Sequence, residues 1–229
     1  MNKKVLYINI YIILAFAVGF LLSCKKDKVE PPIDVGYDYY PNKVGNYIIY
    51  QVDSIVYDDF TGTVDTFAYQ LKELIESDFI DNQERNTQRI ERYNKANDTL
   101  PWILKDVWYA NRTNTTAEKV EENVRYIKLI FPVKLRQEWN GNTFNFFEPE
   151  IYKYSDLYKS FDANSLHFDS TITVIQKEEL NLILDDYAIE IFAKNVGLVY
   201  KKYRHLEKLP DGTINKGLDL TYTIQSFGH

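Results

Sequence analysis

From about residue 47 onward the chain alternates apolar and polar positions with a period of two, and turn residues break the pattern at short intervals. Ile48, Tyr50, Val52 and Val56 share one face of a strand, opposite Gln51 and Asp53. Asp58-Asp59-Phe60-Thr61-Gly62 then turns the chain, and Phe67, Tyr69 and Leu71 make the apolar face of a second strand, with Gln70 and Lys72 opposite. These two runs predict an antiparallel hairpin. Residues 87–94 and 104–112 alternate more weakly. Val124 to Phe131 is apolar on both faces, which predicts a central strand ended by Pro132. Thr171 to Ile175 is β-branched throughout, and Tyr187, Ile189 and Ile191 alternate with Ala188 and Glu190. Asn195-Val196-Gly197 turns the chain into Leu198 to Tyr203, and Pro210-Asp211-Gly212 makes a further turn. Leu218, Leu220, Tyr222 and Ile224 alternate with Asp219, Thr221, Thr223 and Gln225.

Many short strands at this spacing predict a mainly β fold, a single antiparallel domain over residues 39–229. A curved sheet, half-barrel, barrel and sandwich all satisfy the pattern. Two stretches carry helical spacing instead: Ile151, Tyr154, Leu157, Tyr158 and Phe161, and the short acidic run Ala117 to Val124. One or two short helices are therefore expected.

The first two dozen residues follow another rule. Lys3 and Lys4 precede an apolar run from Val5 to Leu22, which ends in Leu21-Leu22-Ser23-Cys24. This layout resembles a bacterial lipoprotein signal with a lipobox. The resemblance implies a signal peptide over residues 1–23, cleavage between Ser23 and Cys24, and acylation of Cys24. Several acyl chains anchor a protein firmly, because each buried methylene contributes about 0.8 kcal/mol. The competing reading is a transmembrane helix, for which 18–20 apolar residues are about enough. Residues 24–38, with Lys25-Lys26-Asp27-Lys28 and Pro31-Pro32, read as a charged, proline-rich tether. The start Cys24-Lys25-Lys26-Asp27 also resembles signals that send some lipoproteins to the outer face of the outer membrane, although Lys28 interrupts the acidic run. The expected location is the cell envelope, anchored to the outer membrane, with the leaflet open.

Without residues 1–23 the chain carries 25 basic and 33 acidic residues, a net charge of −8. That balance lacks the basic footprint of nucleic-acid binding. Cys24 is the only cysteine, so its acylation would leave no thiol for redox, metal or nucleophilic chemistry. The 19 tyrosines and 13 phenylalanines suit a half-buried pleated surface, with rings inside and hydroxyls at water.

Two further stretches, Tyr40-Pro41-Asn42-Lys43-Val44-Gly45-Asn46-Tyr47 and the run from Tyr187 through Lys201, join the lipobox in a wider likeness. Together they resemble a group of uncharacterised envelope lipoproteins of diderm bacteria. The resemblance implies no catalytic residue. Read physically, Pro41 and Gly45 bracket a turn into the first strand, and Gly197 supplies a positive φ or a bulge between two strands.

Candidate chemistry is sparse. His167, His205 and His229 lie far apart without ligand spacing, and no metal or cofactor is expected. Asp162, Asn164 and Asp169 are faintly like a calcium loop but lack its sixth-position glycine and twelfth-position glutamate. No catalytic nucleophile motif or phosphate-cradling loop occurs. Glu138 and Glu148 are the carboxylates nearest aromatic residues, where a glycosidase pair would be sought. Trp102, Trp108 and Trp139 are candidate ligand or glycan contacts, against the plainer reading that they are core. Asp53-Ser54-Ile55, Asp98-Thr99-Leu100 and Asp169-Ser170-Thr171 resemble an O-glycosylation acceptor triplet. The expectation is a non-catalytic binding module for a hydrophobic ligand or an envelope partner. The alternatives are an accessory glycan-binding or docking subunit of an outer-membrane system and a carboxylate hydrolase.

Overall fold

The computed structural model describes residues 34–229, which form one β-rich unit. The proposed signal, Cys24 and the tether as far as residue 33 lie outside the described residues.

Alternation of the side chains builds twelve strands: β1 (Tyr47–Tyr57), β2 (Val64–Ile80), β3 (Asn86–Lys95), β4 (Ile103–Arg112), β5 (Thr116–Glu121), β6 (Val124–Ile130), β7 (Glu138–Asn140), β8 (Ile151–Ala163), β9 (Leu166–Leu180), β10 (Leu184–Ala193), β11 (Gly197–Lys208) and β12 (Ile214–Gly228). They form one sheet in the order β6-β5-β4-β3-β2-β1-β12-β11-β10-β9-β8-β7. The predicted first hairpin is there, with Val52 opposite Tyr69 and Tyr50 opposite Leu71. The last strand returns to the first, with Val52 also opposite Tyr222. The sheet's open edges are therefore β6 and β7, in the middle of the chain. These edges nearly meet: the Ile127 N–H donates to the Gly141 carbonyl at 2.9 Å. Gly141 allows that approach, since a Cβ there would lie 2.3 Å from the Tyr152 ring. The result is a nearly closed antiparallel barrel.

Because each described pair is antiparallel, successive turns alternate between the two barrel ends. We call proximal the end at which residue 34 enters. It holds the β2–β3, β4–β5, β8–β9 and β10–β11 turns. The distal end holds the β1–β2, β3–β4, β5–β6, β7–β8, β9–β10 and β11–β12 turns. Residues 34–46 pack against the proximal end through a short 3-10 turn at Tyr37–Tyr39. The Asn195 N–H donates to Asp38 O at 2.7 Å, and the Val133 N–H to Val35 O at 3.1 Å. Lys194 pairs with Asp34 at 2.8 Å. One apolar cluster gathers Tyr39, Leu129, Phe131, Trp139, Tyr154 and Ile172; a second gathers Tyr50, Val52, Leu71, Ala193 and Ile224.

Three sequence expectations are corrected. The two helical candidates are strands, β8 and β5. In β8 the pairing with β9 shifts register three times, between Tyr154 and Asp156, Leu157 and Lys159, and Lys159 and Phe161. Each irregularity changes which face the next residue meets, so a bulged strand mimics helical spacing. The run from Val124 is not central: β6 is an edge, and its apolar second face is covered across the seam by Trp139 and Tyr154. In β10 the deeply buried face is not only the apolar one. Ala188, Glu190 and Phe192 are buried, and Tyr187 and Ile189 are less so.

Candidate functional site

The interior of the barrel is charged. Arg92, 1% exposed, donates from Nε to Glu73 at 3.0 Å and from Nη1 to both Asp106 oxygens at 3.0 Å. Its guanidinium lies 3.4 Å from the centre of the Trp108 ring. Lys119 pairs with the other Glu73 oxygen at 2.8 Å. Lys128 pairs with Glu190 at 2.6 Å and Glu121 at 3.4 Å, and Lys201 stands 3.6 Å from Glu190. Four cations thus face four carboxylates. Burial pushes the Glu73 carboxyl up, but Lys119 and Arg92 override it and hold the group below the usual glutamate range. Burial opposes ionisation of Glu121 too, and Lys128 and Lys201 again prevail. The same competition holds Lys128 charged: burial disfavours its ammonium, and Glu121 and Glu190 raise its pKa well above normal.

Glu121, Lys128 and Lys201 border two chambers. The proximal chamber is small, about 90 Å³, and lined by apolar groups such as Tyr47, Ile48, Ile90, Ala110, Phe192 and Leu198. Both stretches that carry the envelope-lipoprotein resemblance meet at it. Gly197 has φ +100°, and a Cβ there would lie 3.5 Å from Pro41 Cδ. The turn ahead of β1 places Gly45 at φ +93°, with its N–H donating to Ile75 O at 2.9 Å.

The distal chamber is larger, about 620 Å³, and polar. Tyr126, Tyr152 and Tyr203 are among its lining, Glu148, Glu150, Asp186, Lys177 and Arg204 supply charge, and His205 adds an imidazole. Its volume falls in the range of about 300–1,000 Å³ typical of ligand pockets. His205 Nδ1 and Asp186 share a hydrogen bond. Glu150 lies 3.8 Å from Lys177, and burial raises its pKa, with Asp186 adding to the rise against the pull of Lys177. Gln176 is buried in the lining, and its Nε2 has no hydrogen-bond partner among the described residues. A buried donor left unpaired costs about 1–3 kcal/mol.

The three tryptophans do not share one surface. Trp108 lines the proximal chamber, with Arg92 on its ring and its Nε1 donating to Glu122 at 3.2 Å. Trp139 is buried, and its Nε1 donates to Ile127 O at 3.0 Å. Trp102 lies between β3 and β4 with Lys95 5.0 Å from its ring centre. Glu148 lines the distal chamber, whereas Glu138 borders a separate outer groove with Lys153 and Glu178. His205 belongs to the distal chamber. His167 sits at the exposed β8–β9 turn between Asp162, at 2.5 Å, and Asp169, at 3.3 Å. His229 is terminal. Among the described residues no group of three or more histidines, cysteines or carboxylates is arranged to hold a metal ion. Of the glycosylation-like triplets, Ser54 is buried and Ser170 is hydrogen-bonded to Tyr39 at 2.7 Å, while Thr99 lies on an exposed turn. Reading the sequence missed the lumen charges. Their signal was Lys128 and Glu190, each a lone charge inside an apolar run, residues 126–131 and 187–193.

No family model matches the chain, and no curated protein matches it. Two solved structures are similar to it. One, from Bacteroides fragilis, is named as an exported protein with a YmcC-like fold; the match has TM-score 0.44 and 9% identity, over 82% of this chain and 98% of that one. The other, from Parabacteroides distasonis, is named as a lipoprotein, with TM-score 0.37 and 10% identity over 83% and 98%. Likeness at this level carries no argument about function.

Proposed function

We propose that this protein is a lipid-anchored envelope binding module whose distal chamber takes a small hydrophilic ligand of the carbohydrate class. The observation that carries the reading is the lining of that chamber. It combines three tyrosines, the Gln176 amide and charges of both signs. Mixed charge favours a neutral, hydroxyl-rich ligand over a strongly ionic one, because hydroxyls both donate and accept. Tyrosine rings offer the apolar faces on which sugar rings stack. A hydrophobic ligand in the proximal chamber is the weaker reading. Its 90 Å³ is smaller than the cavity of about 150 Å³ that admits benzene, and far smaller than a lipid needs.

The anchor rests on Lys3, Lys4, the apolar run and Cys24. Cys24→Ser is expected to leave the chain uncut and unacylated, which intact mass reads directly. For the ligand, the mature chain is incubated with host envelope extract and weighed by native mass spectrometry. The expected adduct is hydrophilic and of sugar size. An adduct of lipid mass overturns this reading in favour of a carrier.

A further inference from the structure

The two ends of the barrel differ in charge and in exposed apolar surface. The distal turns and their flanks (residues 57–65, 95–106, 122–125, 141–150, 177–186 and 207–216) hold fourteen acidic and six basic residues. The remaining residues from Cys24 onward hold nineteen of each. Most of the net negative charge of residues 34–229 therefore belongs to the distal turns and their flanks. The same turns present bare apolar tips: Phe60 is 95% exposed, Leu182 83% and Phe146 81%, joined by Ile103, Ile183 and Leu209. Five separate hairpins contribute to this rim.

We propose that the distal rim docks a partner protein that presents basic residues around an apolar patch. Apolar tips drive contact by burying their area, and large exposed apolar surface marks such sites. The acidic flanks select the partner's sign and repel acidic surfaces. An anionic lipid leaflet is disfavoured by the same charge, since its headgroups repel Asp58, Asp59, Glu178 and Glu179. The position is consistent with a docking role, because the described residues begin, at residue 34, at the opposite end. This inference does not depend on what the distal chamber holds.

The test places a photo-reactive amino acid at Leu182 in the full-length protein in its own cells. The expected result is one discrete protein adduct whose cross-linked segment is basic and apolar. That adduct should be lost when Asp59, Glu178 and Glu179 are changed to lysine, exposed changes that leave the circular dichroism unaltered. Leu182→Ser, read from a photo-reactive group at Ile183, should weaken the same adduct. A lipid adduct, an adduct to a second copy of this chain, no adduct, or an adduct that survives the charge reversal would each overturn the proposal.

Discussion

The Tyr154 hydroxyl closes both backbone groups of Ile130 at once: it donates to the Ile130 carbonyl at 2.7 Å and accepts from the Ile130 N–H at 3.0 Å. Tyr154 is on β8 and Ile130 ends β6, so this side chain spans the seam where the barrel lacks continuous strand pairing. Two other side chains complete the seal. Asn145 Nδ2 donates to Arg125 O at 2.9 Å, and Trp139 Nε1 to Ile127 O at 3.0 Å. An open edge strand invites pairing with other chains, and here its groups are occupied by these side chains and by the Gly141 carbonyl.

Tyr154→Phe keeps the ring and removes both bonds. It is expected to cost about 1–3 kcal/mol, the penalty for unpaired buried backbone groups. Urea unfolding should show a lower midpoint with an unchanged slope. A midpoint equal to that of the parent protein would mean that the seam contributes nothing.

The lumen pair Lys128–Glu190 yields a second prediction. Lys128→Met leaves Glu190 and Glu121 short of a cation and is expected to cost about 3–5 kcal/mol. Lys128→Met combined with Glu190→Met should cost clearly less than the sum of the two single changes, read as a double-mutant cycle. Additive costs would contradict direct coupling.

Acid should unfold the barrel through the same layer. Glu73 and Glu121 have folded-state pKa values below their ordinary value of 4.5. Their contribution is full above that value and is lost as pH falls toward the depressed folded-state values. The urea midpoint should hold between about pH 7 and pH 5 and then fall below about pH 4.5. A flat profile down to about pH 3 would show that these carboxylates do not gain stability from their cations.

Gly197→Ala tests the turn joining β10 to β11. Its φ of +100° disfavours any side chain, while the new methyl would meet Pro41 only in ordinary van der Waals contact. The expected cost is about 1–2 kcal/mol, measured by thermal unfolding. An unchanged melting temperature would contradict it.

Much of the architecture was legible where period-two alternation is clean, as in β1, β2 and β12. The turn signals around Gly45, Gly62, Gly197 and Gly212 also stand at positive φ in the structure. Alternation failed in β8, because register shifts move its side chains off a regular face. It also could not tell that Glu190 points into the barrel, since a strand's two faces look alike in sequence until the sheet's curvature chooses the inside. The distal chamber was legible only in Glu148, a single member. Its other groups come from six strands and one turn, and spatial convergence leaves no local spacing.

The ligand is proposed to sit in the distal chamber. Ala188 lines that chamber and Ala110 lines the proximal one. Ala188→Trp and Ala110→Phe would fill them one at a time, each at an overpacking cost of about 1–3 kcal/mol. Native mass spectrometry of both variants with envelope extract is the most direct measurement. The account predicts that Ala188→Trp loses the hydrophilic adduct and Ala110→Phe keeps it. Loss in Ala110→Phe with retention in Ala188→Trp would contradict it and move the site to the proximal chamber.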